Sequence, residues 1–88
     1  MKCVQIVVKT TDLDTSDRFA VMKHAYQVGI KGFVRRIDMA SLVVEAEGPD
    51  ETVAKFVEFL SKDSLFIKPL EVEVTDLPVK DYSSFEML

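Results

Sequence analysis

The chain has 88 residues, 48% of them hydrophobic and 30% charged, and 11 Lys+Arg against 15 Asp+Glu give a formal charge of -4. That length supports a single domain over 1–88, burying about 60–65% of the surface that its unfolded chain exposes. The apolar fraction excludes a largely disordered segment. The acidic balance disfavours nucleic acid, because phosphate-backbone binding draws its affinity from neutralising cations. No apolar run approaches the roughly 18 residues needed to span a bilayer, so no membrane partner is expected. The opening Met1 to Val8 has one lysine and a short apolar patch. Its alternation and lack of a cleavage site argue against a signal peptide. Cys3, the one cysteine, cannot close an intramolecular disulfide, so a reducing compartment, the cytoplasm, is expected.

Val4, Ile6 and Val8 alternate with Gln5, Val7 and Lys9, so residues 2–10 read as a strand with at least one buried face. A polar stretch from Thr10 to Asp17 follows, without glycine. Val21, Met22, Ala25 and Val28 then recur at helical spacing. With Ser16 or Asp17 as cap and Gly29 as stop, they predict a helix over 17–29. Residues 31–37 and 41–47 form two alternating runs joined through Asp38-Met39-Ala40, a hairpin-length connection without the usual glycine. In the second run Leu42, Val44 and Ala46 share one face, and Val43, Glu45 and Glu47 the other.

Gly48-Pro49-Asp50-Glu51 suits a helix opening, with proline in the first turn and two acids on the positive end of the dipole. Val53, Phe56, Val57 and Leu60 form its apolar stripe. The i,i+4 pairs Glu51–Lys55 and Glu58–Lys62 read as a solvated face. Beyond Lys62 a further strand is expected, with Leu70, Val72 and Val74 inward and Glu71 and Glu73 outward. Pro69 puts that strand at an edge or at its own beginning. Asp76-Leu77-Pro78 ends it, and Phe85 to Leu88 add a short C-terminal strand. The order β-α-β-β-α-β shares one core only if both helices pack on one sheet face. The expected fold is therefore α+β, a ferredoxin-like βαββαβ sandwich with a mostly antiparallel sheet.

Arg18, Ala25, Gly29 and Gly32-Phe33-Val34-Arg35 keep, without a gap, spacings in which the chain resembles the acylphosphatase family. Ser41 to Gly48 is similar to that family's third strand and following turn, and Phe85-Glu86-Met87 to its closing strand. The resemblance covers nearly the whole chain and is most specific over residues 25–48. It implies hydrolysis of an acyl phosphate to a carboxylate and phosphate, with no metal or other cofactor. It also places the family's phosphate-holding arginine at Arg18 and its phosphate loop at Asp12, Leu13, Asp14, Thr15, Ser16 and Asp17. Where the family carries the asparagine that orients the attacking water, this chain has Arg36, and it contains no asparagine at all.

No glycine precedes Gly29, so the loop equivalent lacks the residues that most easily form a phosphate nest. It brings three aspartates instead, and one carboxylate about 4 Å from a phosphate charge costs about 4 kcal/mol at an effective dielectric of 20. The expectation from these departures is a catalytically degenerate relative, retained as a small interaction or regulatory module for an unidentified protein partner. The alternative is a divergent acylphosphatase acting through Arg18 on a small acyl phosphate or anion. Nothing in the sequence fixes an oligomeric state.

Arg18 itself reads either as an anion ligand at a helix N-terminus or as an ion pair with Asp14 or Asp17. If the resemblance holds, Arg36 lies near it; either the loop aspartates bind both arginines and close the old pocket, or Arg36 simply points to water. Asp12-x-Asp14-x-Ser16 opens like a calcium loop, but Asp17 stands where the glycine belongs and Lys23 where the bidentate glutamate belongs. His24 reads as a helix-surface histidine and Cys3 as a small, partly buried side chain. Phe33, Phe56, Phe59, Phe66, Tyr26 and Tyr82 could form an RNA-stacking platform. An acidic sheet face of Glu45, Glu47, Glu71 and Glu73 argues against it.

Overall fold

The computed structural model describes residues 1–11, 15–62 and 69–88, Thr15 by its main chain alone. In chain order the elements are β1 (Lys2–Lys9), α1 (Thr15–Val28), β2 (Lys31–Asp38), β3 (Ser41–Gly48), α2 (Asp50–Ser61), β4 (Glu71–Leu77) and β5 (Phe85–Met87). The strands form one five-stranded sheet in the order β4-β1-β3-β2-β5. Every pairing is antiparallel except β2 with β5. This is the two-layer βαββαβ arrangement expected from the sequence, with the short closing strand at one edge. Among the described residues no helix is long and apolar enough to cross a membrane.

Both helices lie on one face, α1 over β2 and β5 and α2 over β1 and β3. Val4, Ile6 and Val8 of β1, Val34 of β2 and Leu42, Val44 and Ala46 of β3 meet Val21 and Ala25 of α1 and Val53, Phe56 and Leu60 of α2. Each large apolar side chain buried there contributes about 1.5–3 kcal/mol, and this is why the two alternating runs and the two stripes find each other. Phe85 brings β5 into the same core, its ring edge-on to Phe56 at 6.4 Å.

Several local expectations need correction. The first helix begins at Thr15, so Ser16 and Asp17 lie within its first turn and its cap falls before Thr15, outside the described residues. A run of capping-type residues from Thr10 to Asp17 offers a start at almost every position, so composition cannot choose among them. Val28, the last residue of the helix, is exposed. Leu70, 71% exposed, lies just before β4 and not in it, Val74 is 45% exposed because β4 is an edge strand, and of the three expected inward residues only Val72 packs against the core. Cys3 is fully buried rather than partly so.

The β2–β3 hairpin manages without glycine in two ways. The register shifts between Arg36 and Asp38, and the Asp38 carboxylate accepts the Ala40 amide at 2.8 Å, an Asx-type closure. Gly29 ends α1 with φ 77°, the left-handed stop that its position suggested.

Candidate functional site

Arg18 sits in the first turns of α1, and its Nη1 donates to the main-chain oxygen of Leu88 at 3.3 Å. The Leu88 amide in turn donates to the Val34 oxygen of β2 at 2.9 Å. These two bonds tie the guanidinium to the stretch of β2 that carries Arg36. Arg36 is exposed and pairs in register with Leu42. Two residues on from Val34, it lies on the helix-bearing face of the sheet. The Arg18 Nε is buried and has no hydrogen-bond acceptor among the described residues. Asp17 is also buried, an acid in the first turn where the helix dipole favours it. Ser16 is exposed.

Asp12, Leu13 and Asp14 lie outside the described residues, and with them the proposed Arg18–Asp14 pair and the calcium-like opening. Among the described residues no cluster of His, Cys, Asp and Glu could hold a metal ion. His24 is half-buried on α1 and stacks on Phe59 of α2 at 3.7 Å between ring centroids. Burial holds its pKa below the ordinary histidine value.

The opposite, outer face of the sheet differs most from the sequence reading. Glu45 and Glu47 are 7% and 3% exposed, not part of a solvated acidic face. Residues 78–84, after β4, cross that face on the way to β5 and cover them. Glu47 accepts three consecutive main-chain amides: Lys80 at 2.6 Å and Asp81 at 3.2 Å on Oε2, and Tyr82 at 2.9 Å on Oε1. Asp81 has φ 57°, the left-handed turn that makes such a run of amides concave. Glu45 accepts the Lys80 ammonium at 2.8 Å and the Tyr82 hydroxyl in a short hydrogen bond.

Burial alone would raise both carboxyls. For Glu47 the amides of residues 80–82 and the Cys3 thiol outweigh it, and for Glu45 Lys80, Tyr82 and Gln5 do so, leaving both below the ordinary value. The Cys3 thiol is pushed up, first by burial and then by the two glutamates beside it. Phe33 meets Tyr82 of the crossing segment edge-on at 6.3 Å, so these rings pack against each other instead of forming an open stacking platform. Phe56 and Phe59 lie in or against the core, the Tyr26 hydroxyl donates to the Phe85 oxygen at 2.9 Å, and Phe66 is outside the described residues.

The acylphosphatase family profile matches residues 18–87, from Arg18 to the last strand. An acylphosphatase of Ligilactobacillus salivarius is 28% identical over 88 residues, covering 99% of this chain and 98% of its own. One of Methanocella arvoryzae is 24% identical over 87 residues, covering 99% of each. The crystal structure of an acylphosphatase from Bacillus subtilis superposes with a TM-score of 0.89 at 25% identity, covering 100% of this chain and 99% of that one. The fold also occurs within a larger protein: a full-length HypF structure matches with a TM-score of 0.83 at 21% identity, over 12% of its length. With the profile spanning Arg18, both helices and the closing strand of the same five-stranded sheet, the chain belongs to the acylphosphatase family.

Proposed function

We propose that this protein is a divergent acylphosphatase that holds the phosphoryl group of a small acyl phosphate at Arg18. The observation that carries the reading is the state of that guanidinium. One nitrogen is fixed on Leu88, and Nε is buried without an acceptor among the described residues. An unpaired buried donor costs about 1–3 kcal/mol, more when charged, and a phosphoryl oxygen would remove that cost. The first-turn amides and positive dipole end of α1 favour the same ligand. The two full-length relatives, both named acylphosphatase, support this reading over the degenerate one.

In the proposed reaction a water oxygen forms a bond to phosphorus as the bond from phosphorus to the carboxyl oxygen breaks. The carboxylate leaves with the bonding electrons, and the proton from water passes to solvent. Arg18 neutralises charge on the phosphoryl oxygens, the main requirement of such a transfer. Arg36 can add positive charge, but a guanidinium only donates and cannot accept a hydrogen bond from the attacking water, as an amide oxygen can. A low turnover number follows. The buried thiol of Cys3, which is in no disulfide, suits a reducing, cytoplasmic setting.

Arg36 also favours a second reading, in which hydrolysis is lost and the domain serves as an interaction or regulatory module. Its fold is used in that small proportion within HypF. Hydrolysis of acetyl phosphate by the wild type and by Arg18→Ala separates the two. Turnover above the uncatalysed rate that disappears with Arg18 supports the enzyme. Equal background rates in both proteins select the module.

A further inference from the structure

We propose that Glu47 is a positioning residue whose grip on the crossing segment, on the outer face of the sheet, sets where Leu88 meets Arg18. Its consequence for phosphate binding rests on the reading of Arg18 given above. β4 and β5 lie at opposite edges of the sheet. Four inter-strand spacings of about 4.8 Å separate them, about 19 Å in all. Leu77 to Phe85 reaches at most about 26–29 Å when fully extended. The segment therefore has little slack, and the point at which it is held near its middle decides how it enters β5.

Glu47 holds it at that point through the amides of Lys80, Asp81 and Tyr82. Glu45 adds Lys80 Nζ and the Tyr82 hydroxyl. From there the path is hydrogen-bonded almost continuously. The Gly32 amide donates to the Ser84 oxygen at 3.0 Å, β5 pairs with Gly32 to Val34, and the Leu88 amide donates to Val34. Leu88 then presents its oxygen to Arg18. Phe85 anchors β5 in the core. If that anchor alone fixed the register, Glu47 would be dispensable for Leu88, and this is the competing account that the experiment must exclude.

The test combines amide hydrogen exchange with titration of inorganic phosphate, on wild type, Glu47→Gln, Arg18→Ala and the double variant. Glu47→Gln keeps the side-chain shape and removes the charge; if it does not fold, Glu47→Asp takes its place. Exchange is expected to accelerate about tenfold or more at residues 80–82 and also at Leu88, with the β1 amides unchanged. Phosphate affinity is expected to fall about tenfold in Glu47→Gln, and to fall no further when Glu47→Gln is added to Arg18→Ala.

Unchanged exchange at Leu88 overturns the proposal. So does a phosphate loss that is equally large without Arg18, because the effect would then be general loosening. If the wild type itself binds no phosphate, the reading of Arg18 fails, and exchange at Leu88 alone decides the role of Glu47.

Discussion

Gly32 and Glu45 touch through their main chains: a Cβ built on Gly32, at φ 139°, would lie 1.9 Å from the Glu45 oxygen and 2.8 Å from its carbonyl carbon. Both atoms belong to β3, the neighbouring strand, so the clash cannot be relieved by a side-chain rotation. Gly32→Ala should force β2 away from β3 and destabilise the protein by at least about 2–3 kcal/mol. Urea unfolding measures it. Gly29→Ala, at φ 77° with open space around it, should cost only about 1 kcal/mol.

The glutamates under the crossing segment set an acid limit. Their folded pKa values lie below the ordinary 4.5, held there by their hydrogen bonds against the opposing effect of burial. Their contribution is complete above about pH 4.5 and is lost as pH falls through the lowered folded values. Urea midpoints measured from pH 7 down to pH 3 should drop in that range, and the drop should shrink in Glu45→Gln and Glu47→Gln.

His24 works in the same sense, losing stability as pH falls, but in a higher range. Burial against Phe59 disfavours its charged form, so the unfolded chain takes up a proton first as pH falls through 6.5. Stability should decline from there down to the lowered folded value and then level off. His24→Phe should keep the stack and remove this slope, as thermal unfolding at pH 8 and pH 5.5 would show.

On the proposed function, Arg36→Asn supplies an amide oxygen at the position that the resemblance gives to the water-orienting asparagine. Acetyl phosphate turnover should rise about 10²-fold over wild type, the usual scale of one transition-state hydrogen bond. Arg18→Ala in that background should return it to the uncatalysed rate. A rate unchanged by Arg36→Asn would mean that position 36 does not face the reacting water.

Asp81 is the one described residue other than glycine with a positive φ, and its main-chain amide donates to the buried Glu47. Asp81→Gly should relieve the left-handed strain, keep the amide, and raise stability by about 0.5–1 kcal/mol. Asp81→Val should lower it, and a unfolding curve for each variant checks the pair.

The element order was legible because period-2 and period-3.6 stripes report which face of each element is buried, and Val4, Val44, Val53 and Phe56 lie where those stripes put them. Leu70 and Val74 misled because alternation cannot say whether a helix extends far enough to cover an edge strand. Arg18 was legible as a candidate from its spacing to Ala25 and Gly29, but its acceptor, Leu88, is 70 residues away and carries no local signal. Glu45 and Glu47 read as solvated because the segment that covers them has no periodicity. The available hint was a lysine and a tyrosine close together in Pro78 to Tyr82, donors with no other assigned partner in the sequence.

The crossing segment also bears on the order in which the molecule is completed during synthesis. A chain that has emerged only through α2 already contains β1, β2 and β3, which pair with one another, and the apolar faces of both helices. Arg18 is then present at the start of α1, yet the residue that receives its Nη1 has not been made. The nascent protein can acquire most of its core well before its arginine is set, so assembly of the core and completion of the Arg18–Leu88 contact are separate events in time.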